Sequence, residues 1–453
     1  RIESRALINR FRRRACDVLE PSSFLWFPAF IFLGDSDIDS SQPPTMAAIA
    51  VDQTLKTSVG SPEQRFQVRN ALPSSPFEAF DVPGQQDTAD FGLPWSASFP
   101  LGLKASKTLG LSESIDAIEN FAQSGNLSGL IKEHGGAILI RGLPIETPHD
   151  YSKVAHAFGF RPHVEVGRPP LRTILAPNVK TANEGPPELP IWPHSEYGWS
   201  TINPSWLTFS ALQIPESGGA TPITSAIYIA HELSRLKPQF LSNLLNKGVK
   251  YVYRYTTKPL VSNTGTSVRG AYGQEVRDED DEVTARRKIE AEVRRHSNRF
   301  EWHDDGSLSV THIVPAVRIH DPTGATVFFG NVTSAWGRSR HHGATRPPFR
   351  GDDGSYHPPP TYGDDTPIDV EDLDLLLKLA EEGAVDVEWQ KGDLVLLDNY
   401  AVMHSRKPWK GQRQVLAALW DDDGRIRDFP EGLELLKGSP RVPRTEFDEN
   451  EGR

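Results

Sequence analysis

Short apolar runs, interrupted by glycine, proline and aspartate, fill the middle of the chain and constrain its fold most strongly. These runs are rich in β-branched and aromatic residues, which is typical of buried strands. They cover residues 135–142, 206–214, 326–329, 385–389 and 393–398. The pattern predicts a mainly β, α+β fold: a double-stranded β-helix (a jelly-roll, cupin-like core) with flanking helices and helical insertions.

Helical patterns flank and interrupt these runs. Residues 112–124 and 148–158 show helical periodicity in the N-terminal half, and residues 281–296 and 370–382 form insertions. Residues 337–367 are rich in Gly, Pro, Arg, His and Asp, which predicts a long loop.

The patterned region has a different composition from the two ends of the chain. Residues 1–80 are interpreted as an N-terminal extension that is largely disordered, with Met46 as a plausible true start. The apolar run in this extension contains Pro28 and is shorter than the roughly 20 residues of a spanning helix. A signal peptide is the alternative interpretation of that run. We therefore expect a catalytic domain over residues 81–430 and a C-terminal tail over 431–453.

Charge and cysteine content exclude several classes of site. The formal net charge is −11, which disfavours nucleic acids and anionic membranes as partners. Cys16 is the sole cysteine, so a disulfide within the chain and a thiolate zinc site are both excluded. This cysteine usage fits a cytoplasmic protein. The ligands of any metal are then His, Asp and Glu.

Three pairs of a histidine and an acid lie two residues apart, a spacing that puts both side chains on one face of a strand. The pairs are His163/Glu165, His194/Glu196 and His303/Asp305. The first lies among prolines and arginines, where an ion pair is favoured, and the third lies in the turn-forming string HDDG. The middle pair is flanked by aromatic residues and precedes the strongest predicted strand, so its context favours a metal-ligand pair.

A third ligand and a buried cation follow in the C-terminal part. His404 comes after the run DLVLLD, although a lone histidine in this position is more often a packed core residue. Arg413 opens a further apolar run, and a buried guanidinium needs an anionic partner. A bidentate carboxylate matches it best. A dicarboxylate bound beside iron would provide that partner, and two histidines with one carboxylate leave positions on Fe(II) open for substrate and O2.

These segments resemble the TauD/TfdA family of Fe(II)- and 2-oxoglutarate-dependent dioxygenases, in particular its clavaminate-synthase-like branch, which carries His-x-Glu. The similarity covers about residues 135–420, with LIRGLP, TANEGPPELPIWPHSEY, PESGGATPI and DNYAVMHSRKPWKGQRQVLAAL as its landmarks. The resemblance implies that His194, Glu196 and His404 hold the iron. It also implies that Arg413 and Thr221 hold the 2-oxoglutarate cosubstrate.

The substrate residues are expected around this centre. The resemblance places Asn183 and Asn331 in the active site, and Tyr197 and Trp199 follow Glu196 closely enough to reach the cavity. Two amides and two aromatic rings suit a small polar or amphipathic molecule such as an amino acid derivative. Where taurine-type enzymes carry a second arginine this chain has Ala417, so a taurine-like sulfonate is not expected.

The expected reaction is hydroxylation of this small molecule with release of succinate and CO2. The first alternative is oxidative cyclisation or desaturation at the same centre, in secondary metabolism. The second is a jelly-roll protein that binds a metal or ligand without turnover. The segments 263–300 and 337–367 are long enough to act as lids.

Overall fold

Strands predominate in the computed structural model, which describes residues 76–167, 172–182, 185–259 and 266–443. The strands are Phe77–Phe80 (β1), Gln86–Asp87 (β2), Ser98–Phe99 (β3), Leu101–Ala105 (β4), Ala137–Arg141 (β5), Arg161–Pro162 (β6), Ile174–Ala176 (β7), Val179–Thr181 (β8), Ile191–His194 (β9), Trp206–Gln213 (β10), Ser217–Gly218 (β11), Thr221–Ser225 (β12), Val249–Tyr255 (β13), Arg299–Trp302 (β14), Leu308–Val314 (β15), Val317–His320 (β16), Ala325–Phe328 (β17), Thr361–Tyr362 (β18), Ala384–Val387 (β19), Leu394–Asp398 (β20), Val402–Arg406 (β21), Trp409–Lys410 (β22), Gln414–Asp421 (β23) and Ile426–Asp428 (β24).

Ten α-helices accompany these strands in the described residues, together with a short 3-10 helix at Thr88–Phe91. They are Leu111–Gln123 (α1), Asn126–Glu133 (α2), Pro148–His156 (α3), Ala226–Leu236 (α4), Pro238–Lys247 (α5), Val268–Tyr272 (α6), Glu282–Val293 (α7), Val332–His341 (α8), Val370–Glu382 (α9) and Pro430–Leu435 (α10). None of them combines the length and the apolar character needed to span a membrane.

A large sheet with the strand order β1-β4-β5-β20-β10-β23-β8-β7 forms the centre of the fold. Its middle strands are buried on both faces because their side chains alternate between two apolar clusters. In β10, for example, Leu207 and Phe209 pack into one cluster, whereas Trp206 and Leu212 pack into the other. Helices α1, α2 and α3 cover the second cluster.

A smaller sheet, with the order β19-β12-β21-β9, contributes to the first cluster. Ile223 of β12, Val385 of β19 and Met403 of β21 all belong to it. This sheet matters for function because β21 lies between β12 and β9 and pairs antiparallel with both.

A third sheet, with the order β14-β15-β13-β18, packs with α6 and α7 around an apolar cluster of its own. Together the sheets and helices give the mixed α+β architecture, rich in short strands, that the sequence predicts. The two predicted helical insertions correspond to α7 and α9.

The predicted loop over residues 337–367 is wrong at its start, because residues 337–341 belong to α8. Gly337 signals a turn in the sequence, but its role is close packing: a Cβ there would lie 2.4 Å from the Trp192 Cγ. The glycine therefore lets the helix approach that indole ring. The same predicted loop also contains β18.

Each predicted boundary of the catalytic domain lies at or inside a secondary-structure element. Strand β1 lies within the predicted extension and pairs with β4, with Phe77 buried. At the other end, the boundary after residue 430 lies inside α10. The predictions for residues 1–75, including Met46 as a start, lie outside the described residues.

Candidate active site

The pairing of β9 with β21 places two histidines side by side. In the antiparallel register His194 is opposite His404, and their ring centroids are 4.3 Å apart. Glu196 follows just after β9 and turns its carboxylate toward both rings. Its Oε2 atom lies 3.5 Å from the His194 Nε2 and 3.4 Å from the His404 Nε2. Three potential metal ligands thus converge on one point.

Glu196 does not continue the strand as its spacing from His194 suggested, because β9 ends at His194. Hydrogen bonds to the side chain of Asn399 fix the Glu196 backbone instead. The Glu196 backbone N–H donates to the Asn399 Oδ1 (2.8 Å), and the Asn399 Nδ2 donates to the Glu196 carbonyl (2.9 Å). The buried amide therefore replaces the missing strand pairing.

The carboxylate of Glu196 is ionised although it is buried. Burial alone raises its pKa, but Arg172 and the two imidazoles outweigh this effect and hold the pKa well below its usual range. The Arg172 Nη2 donates to the Glu196 Oε1 at 2.5 Å. One carboxylate oxygen is thus anchored, and the other faces the histidines.

Both imidazoles are ready to act as ligands. The His194 Nδ1 lies 2.9 Å from the Trp192 carbonyl, and the proton shared there leaves the Nε2 lone pair free. Burial lowers the pKa of His404 to about 4, so this ring is neutral at physiological pH. Two imidazoles and one carboxylate are the donor set of a non-haem Fe(II) site, and the residues present fit that ion.

Neither of the other two histidine–acid pairs forms such a site. As the ion-pair interpretation predicts, Glu165 pairs with Lys180 and Arg172. The His163 Nδ1 contacts the Asp421 Oδ1 instead, at 2.7 Å. His303 lies in a turn between β14 and β15, with its Nε2 2.8 Å from the Ser309 Oγ.

A half-buried arginine lies beside the convergent ligands. The Arg413 Nε donates to the Gly219 carbonyl (3.0 Å), and the Nη2 reaches the Thr221 Oγ1 (3.4 Å). Gly219 has a φ of +72°, and a Cβ there would lie 3.1 Å from the Arg413 Cδ, so glycine permits this approach. The guanidinium also lies over the Trp409 ring.

The surroundings of Arg413 favour an anion. No carboxylate of the described residues forms an ion pair with it. Burial lowers its pKa to about 10, so it stays protonated at neutral pH. Burial and the charge of Arg413 likewise lower the pKa of Arg406 to about 9. Two neighbouring guanidinium groups make this side of the site strongly positive, which favours a carboxylate.

A cavity of about 110 Å³ joins these groups. It is lined by the three convergent ligands, by Arg413 and Thr221, and by the aromatic and polar side chains Tyr197, Trp199, Tyr253, Asn331 and Arg338. The sequence-predicted site residues that the structure describes therefore share one cavity. Asn183 lies outside the described residues.

The predicted substrate residues differ in how free they are to contact a ligand. The Asn331 Oδ1 is buried and accepts no hydrogen bond from any described residue. Trp199 packs against His312 and Tyr253 at ring distances of 4.8 and 4.9 Å. The Tyr197 hydroxyl donates to Glu165 (2.9 Å), so this tyrosine belongs to the ion network behind Glu196.

Sequence reasoning missed three residues of the site: Arg172, Arg338 and Asn399. Asn399 had a usable signal, because a polar residue directly after the buried run DLVLLD needs a buried partner. Arg172 and Arg338 lie among other arginines, and nothing in the sequence separates a cavity arginine from an exposed one.

Comparisons with known proteins agree with this geometry. Residues 108–420 match the taurine catabolism dioxygenase TauD, TfdA family. A clavaminate synthase-like protein of Arabidopsis thaliana is 29% identical over 66% of this chain and 84% of its own length. The dapdiamide synthesis protein DdaC of Enterobacter agglomerans is 24% identical over 68% of this chain and 89% of its own.

Among solved structures, a taurine dioxygenase from Burkholderia xenovorans is similar with a TM-score of 0.41 and 14% identity, covering 83% of this chain and 98% of that one. The family match extends over most of the chain and contains all three convergent ligands. The chain therefore belongs to the TauD/TfdA family and is a dioxygenase that uses Fe(II), 2-oxoglutarate and O2.

Proposed function

We propose that the protein hydroxylates a small molecule at a centre where His194, Glu196 and His404 bind Fe(II). The convergence of both Nε2 atoms and the Glu196 Oε2 within 3.5 Å carries this proposal. When bound, the iron supplies the redox chemistry that couples conversion of 2-oxoglutarate to succinate and CO2 with oxidation of the substrate. The protein residues hold the reactants in position and exclude competing water.

Arg413 and Thr221 are proposed to hold the distal carboxylate of 2-oxoglutarate. The guanidinium is fixed by Gly219 and lies over Trp409, so little side-chain freedom is lost on binding. The Thr221 hydroxyl accepts a hydrogen bond from the Trp389 Nε1 (3.0 Å), which leaves its own proton available for the carboxylate.

The architecture around this centre is proposed to be a double-stranded β-helix. Strands β10, β20 and β23 on one side and β9, β12 and β21 on the other contribute to one apolar core, which supports this assignment. Residues 81–430 are proposed as the catalytic domain, between an N-terminal extension (1–80) and a C-terminal tail (431–453). The sole cysteine supports a cytoplasmic location.

The substrate is proposed to be small and amphipathic, with an anionic group that faces Arg338. This arginine lines the cavity, and no carboxylate of the described residues forms an ion pair with it. Its Nη1 donates to the Ser334 Oγ (2.8 Å), which orients the guanidinium. Asn331 offers a buried acceptor and Trp199 an apolar wall, so an amino acid derivative fits these groups.

Oxidative cyclisation or desaturation remains the second candidate reaction. Its support is the similarity to the clavaminate synthase-like protein and to the dapdiamide synthesis protein, both consistent with secondary metabolism. Non-catalytic binding is not retained, since the chain belongs to a dioxygenase family and its three ligands converge.

A substrate screen tests these proposals. Small carboxylic acids and their methyl esters are supplied in matched pairs with Fe(II), 2-oxoglutarate and O2, and both succinate and product mass are recorded. We expect acids to give turnover and esters to fail, with a mass gain of one oxygen for hydroxylation. Equal turnover of acids and esters would show that Arg338 does not bind the substrate.

Variants of the cavity wall separate positioning from packing. Trp199→Ala and Asn331→Ala are expected to release succinate without a matching amount of product while the fold is kept. If both variants keep tight coupling and an unchanged Michaelis constant for the substrate, these residues do not contact it.

A further inference from the structure

A second group of metal-binding side chains lies in the segment that connects α8 to β18. Residues 342–360 contain no helix or strand, and none of them belongs to the apolar clusters of the described core. Few of its apolar side chains are buried, Ala344 among them, so polar contacts hold most of this segment, hereafter the 342–360 loop, in place.

The cluster consists of His342, Asp353 and His357. Both histidines are buried, at 8% and 5% exposure. The His357 Nε2 lies 2.9 Å from the Asp353 Oδ2, and the His342 Nε2 lies 3.8 Å from the same atom. One ligand atom from each of the three residues lies within 4.8 Å of the others. The arrangement is separate in sequence from the proposed iron site.

Hydrogen bonds from the His357 Nε2 to both Asp353 oxygens (3.0 and 2.9 Å) account for that contact, but not for the approach of His342 to the same carboxylate. At 3.8 Å the His342 Nε2 is too far from the Asp353 Oδ2 for a hydrogen bond. Two ligand atoms on one tetrahedral Zn²⁺ stand roughly 3.4 Å apart, because each lies about 2.1 Å from the ion. The two distances from the Asp353 Oδ2 lie about 0.5 Å on either side of that value, so modest side-chain movements would bring the three ligand atoms to the spacing of a single ion.

The residues around the cluster support a metal site. The His342 Nδ1 lies 2.7 Å from the Asp352 Oδ1, which matches the carboxylate–histidine–metal arrangement that orients a ligand ring. The Ser355 backbone N–H donates to the Asp353 Oδ1 (2.9 Å). The two carboxylates together would balance the charge of a divalent cation.

The packing around the cluster supports the same interpretation. A Cβ on Gly351 would lie within 2.9 Å of side-chain atoms of all three cluster residues, so the glycine closes the site tightly.

We propose that His342, Asp353 and His357 form a second metal site that takes Zn²⁺. The three side chains leave a fourth position for water. The ion would cross-link the 342–360 loop to its own first residue, His342, directly after α8, the helix that carries the cavity residues Ser334 and Arg338. The site would thus hold one wall of the active-site cavity in place.

Zinc stoichiometry tests this proposal without reference to turnover. The double variant His194→Ala/His404→Ala lacks two of the proposed iron ligands, so Zn²⁺ bound to it reports the second site. We expect one equivalent of Zn²⁺ by equilibrium dialysis with elemental analysis. Adding His357→Ala is expected to abolish binding, whereas adding His341→Ala, at an exposed histidine next to the cluster, is expected to leave one equivalent.

A second variant separates loss of Zn²⁺ binding from loss of structure. Asp353→Asn keeps the size of the side chain and is expected to weaken Zn²⁺ binding by tenfold or more while the far-ultraviolet circular dichroism is unchanged. Zn²⁺ is also expected to slow tryptic cleavage after Arg350, an exposed residue of the loop, and a chelator should reverse this protection. No Zn²⁺ on the double variant, or binding that survives both cluster substitutions, would overturn the proposal.

Discussion

Removal of the Arg413 guanidinium is the perturbation whose effect follows most directly from the geometry. In Arg413→Ala the cation that stands between the Gly219 carbonyl and the Thr221 hydroxyl is lost. Because β23 and its neighbours are buried and the three proposed metal ligands do not contact Arg413, we expect the fold and metal binding to persist.

The expected loss of affinity for 2-oxoglutarate follows from the kind of contact that is removed. A hydrogen bond to a charged group contributes about 1.5–3 kcal/mol net. At about 1.4 kcal/mol per tenfold change, the dissociation constant of 2-oxoglutarate should rise by about tenfold to about 150-fold. Arg413→Lys keeps the charge but loses the planar pair of N–H donors, so its loss of affinity for 2-oxoglutarate should be intermediate.

Calorimetric titration without O2 measures this effect on protein loaded with a redox-inactive divalent metal. Titration with 2-oxopentanoate, which keeps the keto acid and chain length but lacks the distal carboxylate, provides the matched ligand. Wild-type protein should prefer 2-oxoglutarate by about tenfold or more, and Arg413→Ala should bind the two ligands about equally. Lys407→Ala, at an exposed residue, serves as the control variant.

Two results would refute this reasoning. An unchanged affinity for 2-oxoglutarate in Arg413→Ala would mean that another cation holds the cosubstrate. Equal losses for 2-oxoglutarate and 2-oxopentanoate would mean that the substitution disturbs the whole cavity rather than one contact.

Further predictions concern the histidines outside the site, the N-terminus and a buried aspartate. His163→Ala and His303→Ala are expected to keep stoichiometric iron binding and turnover. Loss of iron binding or turnover in one of these variants would add that histidine to the site. A protein that starts at Met46 should keep its activity and its unfolding midpoint; aggregation or inactivity would show that residues 1–45 contribute to the domain. Burial raises the pKa of Asp398, but Arg425 and His320 lower it to about 2, below the unfolded value of about 3.9. The free energy of unfolding should therefore fall as the pH drops from about 4 toward about 2, and Asp398→Asn should flatten this dependence in acid denaturation curves.

The strand pattern and the three candidate metal ligands could be predicted from sequence because both depend on local signals. Short β-branched runs identify β10 and β20, and an aromatic setting separates His194 from the other candidate histidines. Arg413 stood out because an arginine that opens a buried strand needs an anionic partner.

The remaining parts of the site depend on contacts between residues far apart in the chain. Asn399 meets Glu196 across 203 residues, and no local pattern encodes that pairing. Gly337 looks like a turn residue, although its role is to admit the Trp192 ring against a helix. The cluster around His357 depends on a loop whose path no periodicity describes.

Iron binding linked to cosubstrate turnover tests the central claim most directly. Purified wild-type protein and the variants His194→Ala, Glu196→Ala and His404→Ala are titrated with Fe(II) without O2, and succinate formation is then measured on admission of O2 and 2-oxoglutarate. We expect one equivalent of Fe(II) at the proposed site and Fe(II)-dependent succinate from the wild type, and neither from the folded variants. Full Fe(II) binding and succinate formation in any one variant would contradict the assignment of that residue to the metal centre.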